Sequence, residues 1–393
     1  LSRRARERTP QGPSAVGRRF TVTCGSWAHG GHVVARIDAG EPDVGGTVVF
    51  VRHALPGEEV TVAITEGVVG DRFLRGDAVE LHTRSTDRVE APCPVAGPGL
   101  CGGCDLQHVR LEAQREAKAG IVLEQLRRLA GIDTDLVVEP VRPDEDGLRW
   151  RTRVGFHRAR DGRLGMLAHR SHRVVPVEDC LVRAPDAVVS VRGEWEPPKT
   201  VIEQVGTYAF AADGAGFWQA HRDAPGVFVR TVLEMAEVRP GDHVVDLFSG
   251  VGLFSAPLAD AVGETGAVLA VEGDEVAASL ASSNLATWPW ARVSPGAVAD
   301  VLAIEVDHGS SYDVVVLDPP RVGAKRKVLE QVVALGPRTV VHVACDPASF
   351  ARDAAILAEH GYALAELRAF DAYPMTHHVE VIAKFVDVPV EMP

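Results

Sequence analysis

From about residue 226 onward, buried-looking runs of strand length alternate with helical stretches: "HVVDLF", "AVLAVEG", "YDVVVLD" and "TVVHVAC". That alternation predicts a doubly wound α/β sheet, and no other feature of the chain restricts its architecture as strongly. The end breaks the pattern. "YALAELRAFDAYPMTHHVEVIAKFVDV" contains two strand-like runs without a helix between them, which predicts an antiparallel hairpin at the sheet edge.

Sheets of this kind bind ligands at the carboxyl ends of their strands, and four segments place chemistry there. In "VVDLFSGVGLFSAPLA", Asp246 ends a strand, Gly250 and Gly252 form a turn, and an apolar helix follows. Glycines let the backbone approach a ligand, and the helix start offers unpaired N–H groups. The next strand ends in Glu272, 26 residues after Asp246, where a carboxylate can accept from both ribose hydroxyls of a nucleoside. A dinucleotide site competes with this reading, but Ser255 stands where G-x-G-x-x-G requires its third glycine. "VVVLDPPRVG" presents Asp318 on a turn stiffened by Pro319 and Pro320, which cannot continue a ladder. In "TVVHVACDPASFARD", Cys345 ends a strand on the same edge, where a thiol can be exposed and activated. "THHVE" adds two histidines and Glu380. His377 and His378 are adjacent, so they are expected to point apart and to serve packing or hydrogen bonding rather than one metal ion.

Upstream, residues 20 to 82 read as short β-branched runs broken by Gly and Pro, the pattern of a small OB-like barrel. "RLEAQREAKAGIVLEQLRRLAG" predicts a helix with Leu111, Ile121, Val122, Leu126 and Leu129 on one face and Gly131 as its cap. Residues 142 to 173 carry nine Arg, no Lys and four acids; the alternating runs predict arginine-bearing antiparallel strands, either RNA-facing or merely solvated. Residues 1 to 19 hold six Arg and one Glu and read as a disordered basic tail.

The six cysteines are too few and too uneven for a disulfide scaffold, and no stretch resembles a secretory signal or a membrane span. A cytoplasmic chain with reduced thiols is expected. Its net charge of −13 argues against indiscriminate nucleic-acid binding but leaves room for a local basic face. Three cysteines crowd into "CPVAGPGLCGGCDLQHV": Cys93, Cys101 and Cys104, with Cys180 standing 76 positions further on. Zinc would want a second paired half-site, which is missing. Iron–sulfur clusters tolerate a three-plus-one arrangement. A radical S-adenosylmethionine triplet needs a shorter first gap and an open iron position, which Cys180 would fill. Cys24 is left over and is expected to be buried in the barrel.

"CGGCDLQH", "DLFSGVGLFS", "DPPRVG", "ACDPASFARD" and "THHVE", in this order, resemble the RNA uracil carbon-5 methyltransferase family. The resemblance covers the chain from about residue 20. It implies a Rossmann-like class I methyltransferase domain over 216–393, an N-terminal TRAM barrel over 20–82 and a central antiparallel-β iron–sulfur domain over 83–215. It also implies S-adenosyl-L-methionine as cofactor, a uridine of rRNA or tRNA as substrate, and neither a membrane nor an obligate protein partner. Residue by residue, Cys345 matches the nucleophile that adds to carbon 6, Glu380 the base that removes the carbon 5 proton, and Asp318 the carboxylate at the pyrimidine edge. Gln219, Phe248 and Glu272 match cofactor contacts beside Asp246 and Gly250. Leu253 stands where some relatives carry Asn, so a polar contact is missing there. Cys93, Cys101, Cys104 and Cys180 match the ligands of a 4Fe–4S cluster that shapes the substrate-binding region without redox work. Two other classes compete: a non-catalytic RNA-binding or chaperone protein on the same fold, and a DNA cytosine methyltransferase. The latter expects Pro-Cys where this chain has Ala344-Cys345.

Overall fold

A computed structural model describes residues 12–143 and 146–388. They fall into two units: one runs to Ala117 and takes in His157–Cys180 and Pro374–His377, and the other holds the rest.

The first unit contains β1 (Arg19–Thr23), β2 (Trp27–Ala28), β3 (His32–Arg36), β4 (Val48–Arg52), β5 (Glu59–Glu66) and β6 (Phe73–Leu81), with side chains alternating inward and outward most clearly along β1 and β5. The six form one sheet in the order β1-β5-β6-β4-β3-β2. Val22, Val33, Val49, Val51, Val60, Val62, Ile64 and Leu74 fill its core. Cys24 lies in the same core, and burial pushes its thiol up to about 12, as suits a packing residue. Residues 1–11 of the expected tail lie outside the described residues. Its remainder corrects the expectation of disorder: Ala15 N–H donates to Gly67 O at 3.1 Å and Gly17 N–H to Ile64 O at 2.8 Å.

The predicted helix forms as α1 (Leu111–Gln125), then widens into a π turn over Leu126–Ala130 before Gly131 closes it at φ 66°. Ile121, Val122 and Leu126 are buried, but Leu129 is 40% exposed. The wider turn accounts for this correction, because i→i+5 bonding rotates the following side chain off the apolar stripe.

β7 (Val138–Pro140) is followed by β8 (Arg151–Arg158), β9 (Leu164–Leu167) and β10 (Val174–Pro176). β9 pairs antiparallel with the end of β8 and with β10, but Arg151–Phe156 of β8 pair parallel with β11 (Arg183–Val191), so the arginine-bearing strands are only partly antiparallel. Four of the nine arginines of residues 142–173 pair with acids of the protein: Arg163 with Asp161, Arg153 with Glu203, Arg142 with Asp223 and Arg170 with Glu66.

Beyond the hairpin β12 (Thr200–Val205) and β13 (Tyr208–Asp213), the elements are α2 (Ala224–Ala236), β14 (His243–Leu247), α3 (Ser255–Val262), β15 (Ala267–Glu272), α4 (Glu275–Asn284), β16 (Ala291–Pro295) and α5 (Val298–Asp307). They continue with β17 (Val314–Leu317), α6 (Lys325–Ala334), β18 (Thr339–Ala344), α7 (Pro347–Glu359), β19 (Tyr362–Asp371) and β20 (Glu380–Asp387). The sheet order is β16-β15-β14-β17-β18-β20-β19-β7. β14 to β18 are parallel, and the inner four, β14, β15, β17 and β18, are almost wholly buried, which explains their Val- and Leu-rich runs; β16 at the edge is half-buried to exposed. The terminal hairpin is antiparallel as expected but is not the edge. β7, from far upstream, pairs parallel with Ala369–Asp371 at the end of β19 and takes the outermost place there.

Candidate active site and cysteine loop

The glycine loop leaves β14 with Phe248 at φ 61°, a strained value for a bulky residue, and Gly250 and Gly252 at φ 55° and 92°. A Cβ on Gly250 would meet nothing within 4 Å, so the backbone turn rather than crowding demands glycine there. Glu272 ties the loop across the sheet by accepting from Gly250 N–H at 2.8 Å and from Asp274 N–H at 2.7 Å. A carboxylate has about four lone-pair sites, so two stay available to a ribose diol.

Beneath the loop, Asp246 is fully buried and accepts from the Ser255 hydroxyl at 2.5 Å. Burial raises its carboxyl to about 7, opposed by Ser255. Ser255 thus has a task that glycine could not perform. Asp246 Oδ1 and Ser249 Oγ are buried without partners, a polar pair facing unmet demand. Sequence reasoning missed Asn284, whose amide donates to Val251 O at 2.9 Å and to Ala211 O at 3.0 Å and so pins the loop to β13. No spacing pattern marked it. Gln219 is buried, with its carbonyl accepting from the Thr152 hydroxyl at 3.0 Å. Leu253 packs into the core around α2 and α3 rather than facing a polar group.

The reacting groups converge through strand register. Asp318 follows β17 directly, its N–H donating to Leu247 O at 3.2 Å. Cys345 follows β18 and Glu380 opens antiparallel β20, so the two lie just beyond Ala344 and Val381, the last pair of that ladder. The three sit within electrostatic reach of one another. Burial, and then the Glu380 charge, raise Asp318 well above the carboxylate range. Burial raises Glu380 to about 7, against a hydrogen bond from the Tyr373 hydroxyl at 3.0 Å and the Arg321 charge. The Cys345 thiol goes up to about 12, by burial first and then by Glu380 and Asp318, with Arg321 opposing. The strand-end position does not by itself activate the thiol: in the free protein the proton stays on sulfur.

The two histidines part company as expected. His377 Nδ1 lies 2.6 Å from Asp105 Oδ2, whereas His378 lies edge-on to Tyr373 and 3.4 Å from the Arg321 guanidinium. They precede β20 in a loop, so their divergence comes from the turn rather than from strand pleating.

In the first unit, Gln107 joins two of the grouped cysteines. Its carbonyl accepts from Cys93 N–H at 3.0 Å and its side chain hydrogen-bonds the Cys104 thiol. Burial raises Cys104 to about 12, and the charges of Cys101 and Cys180 add to the rise, so Cys180 lies within electrostatic reach of Cys104. Gly102 N–H donates to Leu167 O at 2.9 Å, and a Cβ on Gly102 would stand 2.7 Å from the His169 backbone, so the loop lies flat against the β9 turn. None of the six cysteines forms a disulfide. Among the described residues no three Cys, His, Asp or Glu side chains converge closely enough for a single metal ion. Cluster chemistry differs, since each thiolate would bind its own iron and the sulfurs stand further apart. The donor set and the N–H···S contact from Gly103 to Cys101 at 3.4 Å fit such a group.

Among the described residues no helix is long and apolar enough to cross a membrane. Residues 13–79 match the TRAM domain family. The chain is 40% identical to an RNA methyltransferase of Streptomyces avermitilis, over 94% of its own length and 98% of that protein. It is 28% identical, over 98% of both chains, to a 23S rRNA (uracil(1939)-C(5))-methyltransferase RlmD of Acinetobacter baumannii. Among solved structures it is similar in fold to the tRNA (uracil-54, C5)-methyltransferase of Pyrococcus abyssi in complex with S-adenosyl-L-homocysteine, with a TM-score of 0.66, 20% identity and coverage of 94% of this chain and 99% of that one. A TRAM barrel and a class I methyltransferase sheet on one chain, matched end to end by such relatives, establish that it belongs to the RNA methyltransferase family.

Proposed function

We propose that the chain methylates carbon 5 of a uridine in rRNA or tRNA, with S-adenosylmethionine as donor and a covalent cysteine–uracil adduct as intermediate. The observation that supports this reading is that Cys345 and Glu380 lie just beyond the last pair of the β18–β20 ladder, with Asp318 and Glu380 both within electrostatic reach of the Cys345 thiol. Glu272, Asp246, Gly250, Phe248 and Gln219 would hold the cofactor, which supplies an electrophilic methyl group.

Carbon 5 of uracil is a poor nucleophile. Cys345, once deprotonated, forms an S–C6 bond, and the C5=C6 electron pair moves toward the carbonyl at carbon 4 as an enolate. Asp318, neutral in the free protein, can donate a hydrogen bond where that charge develops. After carbon 5 is methylated, Glu380 takes its proton, the pair re-forms C5=C6, and the S–C6 bond breaks to release the thiolate. No electron is gained or lost overall, so a cluster on Cys93, Cys101, Cys104 and Cys180 would act structurally. Incubation with labelled donor and unmodified cellular RNA tests the whole reading: label should appear as 5-methyluridine, and its absence from both rRNA and tRNA would sink it.

Two further results are expected. Anaerobically purified protein should contain iron and acid-labile sulfide and absorb broadly in the visible, and Cys104→Ser should lose both signals while the isolated spectrum of a zinc protein would refute the cluster. Glu380 must be ionised to accept a proton, so kcat/KM should fall as pH drops through about 7. Tyr373→Phe removes a hydrogen bond that favours the ionised carboxylate, so this acidic limb should move to higher pH. A limb left in place would show that Glu380 is not the group being titrated.

A further inference from the structure

In the first unit, a cleft of about 280 Å³ opens beside the cysteine loop, with Cys104 on its wall and none of the residues assigned a reaction step above among its lining. Two imidazoles line it, His53 and His108, with ring centroids 5.7 Å apart. The Nε2 atoms of both are buried and have no partner. Burial, and then neighbouring arginines, lower His53 to about 3 and His108 to about 4, so both rings are neutral at pH 7. For His108 the tautomer follows from its surroundings. Its hydrogen bond to the Ala54 backbone raises the pKa, as a carbonyl acceptor does, so Nδ1 carries the proton and Nε2 is a bare acceptor.

The position of His53 is built at a cost. It holds φ 62°, a left-handed conformation rare outside glycine. Arg88 fixes it there by donating to its carbonyl at 2.8 Å while bonding both oxygens of Glu58 at 2.7 and 2.6 Å. Val89 N–H donates to His108 O at 3.0 Å, so one segment braces both histidines. The rim is apolar and unusually open: Val79, Leu81 and Val89 are 37, 42 and 39% exposed. The one lining arginine, Arg88, is already neutralised by Glu58, and the lining acids Glu80 and Asp105 are paired with Arg19 and Arg52, so the wall offers an anion no unpaired cation. A phosphate is therefore disfavoured. The chemistry asks for a flat, uncharged, partly apolar group with at least one N–H donor on its edge.

We propose that this cleft is a subsite for one unstacked nucleobase of the RNA substrate, hydrogen-bonded to His53 and His108 over the rim of Val79, Leu81 and Val89. The proposal rests on the reading of RNA as substrate, and it names a place where the barrel unit reads a base rather than the backbone.

Fluorescence anisotropy on the full chain tests it, with short single-stranded oligoribonucleotides as probes and an abasic sugar–phosphate strand of the same length as reference. Wild type should prefer the base-bearing strand by about tenfold. His108→Phe, which removes the acceptor, and Val79→Trp, which fills the cleft from its exposed rim, should each erase most of that preference. The dependence on salt should be unchanged, because phosphate contacts are untouched. If His108→Phe does not fold, Val79→Trp carries the test alone. Equal wild-type affinity for both strands, no binding to either, or a folded Val79→Trp that keeps the preference would each overturn the subsite. Methylation by a chain that lacks the preference would leave the proposed reaction standing, whereas the preference without any 5-methyluridine would leave only the subsite.

Discussion

Cys345→Ala should abolish methyl transfer, with turnover down roughly 10⁴- to 10⁶-fold, the scale seen when an enzyme loses its nucleophile. Without a sulfur to add at carbon 6, carbon 5 never gains the electron density to attack a methyl group, and the remaining groups have no alternative route to offer. The fold should survive. Cys345 sits at a strand end, outside the buried core clusters, and Asp346 keeps α7 capped by accepting from Ser349 N–H at 2.8 Å. The thermal midpoint should therefore change little. Cys345→Ser should fare nearly as badly, because a hydroxyl is harder still to ionise beside Glu380 and Asp318. Cys24→Ala is the control, since that thiol only packs the barrel core, and it should keep full chemistry at some cost in stability. A Cys345→Ala protein that still forms 5-methyluridine would remove the adduct from the mechanism. One that fails to methylate yet supports every cellular role would favour a non-catalytic RNA-binding protein.

Which parts of this site were legible beforehand depends on how each residue announces itself. The parallel core strands were plain, because strands buried on both faces read as unbroken apolar runs. Asp246, Glu272, Asp318 and Cys345 were legible as strand-end residues, since a doubly wound sheet delivers every such position to one edge. What the chain order cannot express is register. That Cys345 and Glu380 come together just beyond the Ala344–Val381 pair is a consequence of strand pairing, in a hairpin that the chain order presents as an edge. β7 has only three paired residues and lies over a hundred positions from the sheet it completes, too short to carry a periodic signal. Supporting side chains were equally silent. Asn284, Gln107 and Tyr373 act through a few side-chain hydrogen bonds, and nothing in an isolated Asn, Gln or Tyr distinguishes a brace from a surface residue. Ser255 was visible only as a departure from a glycine motif; its bond to buried Asp246 supplies the reason. The protonation of the site was hidden for a related cause. Position alone allows an exposed thiol, but three acids crowded around one buried edge keep protons on one another and on sulfur.

Glu380→Gln should stop the reaction one step later than Cys345→Ala, and that difference makes it the sharper test. The amide is nearly isosteric, can still accept from the Tyr373 hydroxyl, and removes an acid whose charge opposes the Cys345 thiolate. Addition to carbon 6 and methylation of carbon 5 should therefore proceed. The carbon 5 proton then has no base to receive it, so the C5=C6 bond cannot re-form and the S–C6 bond cannot break. Turnover should drop by about 10² to 10⁴, the usual contribution of a general base. Before it does, each protein molecule should capture one RNA. Labelled methyl should migrate with the protein as a species that survives denaturation, at a yield approaching one per active site. The combined Cys345→Ala and Glu380→Gln variant should yield no such species, because the bond that traps the RNA is the one Cys345 makes. If Glu380→Gln instead releases methylated RNA at the wild-type rate, another group removes the proton. If it traps RNA that carries no methyl, Glu380 acts before methylation rather than after it, and the order of steps set out above must be reversed.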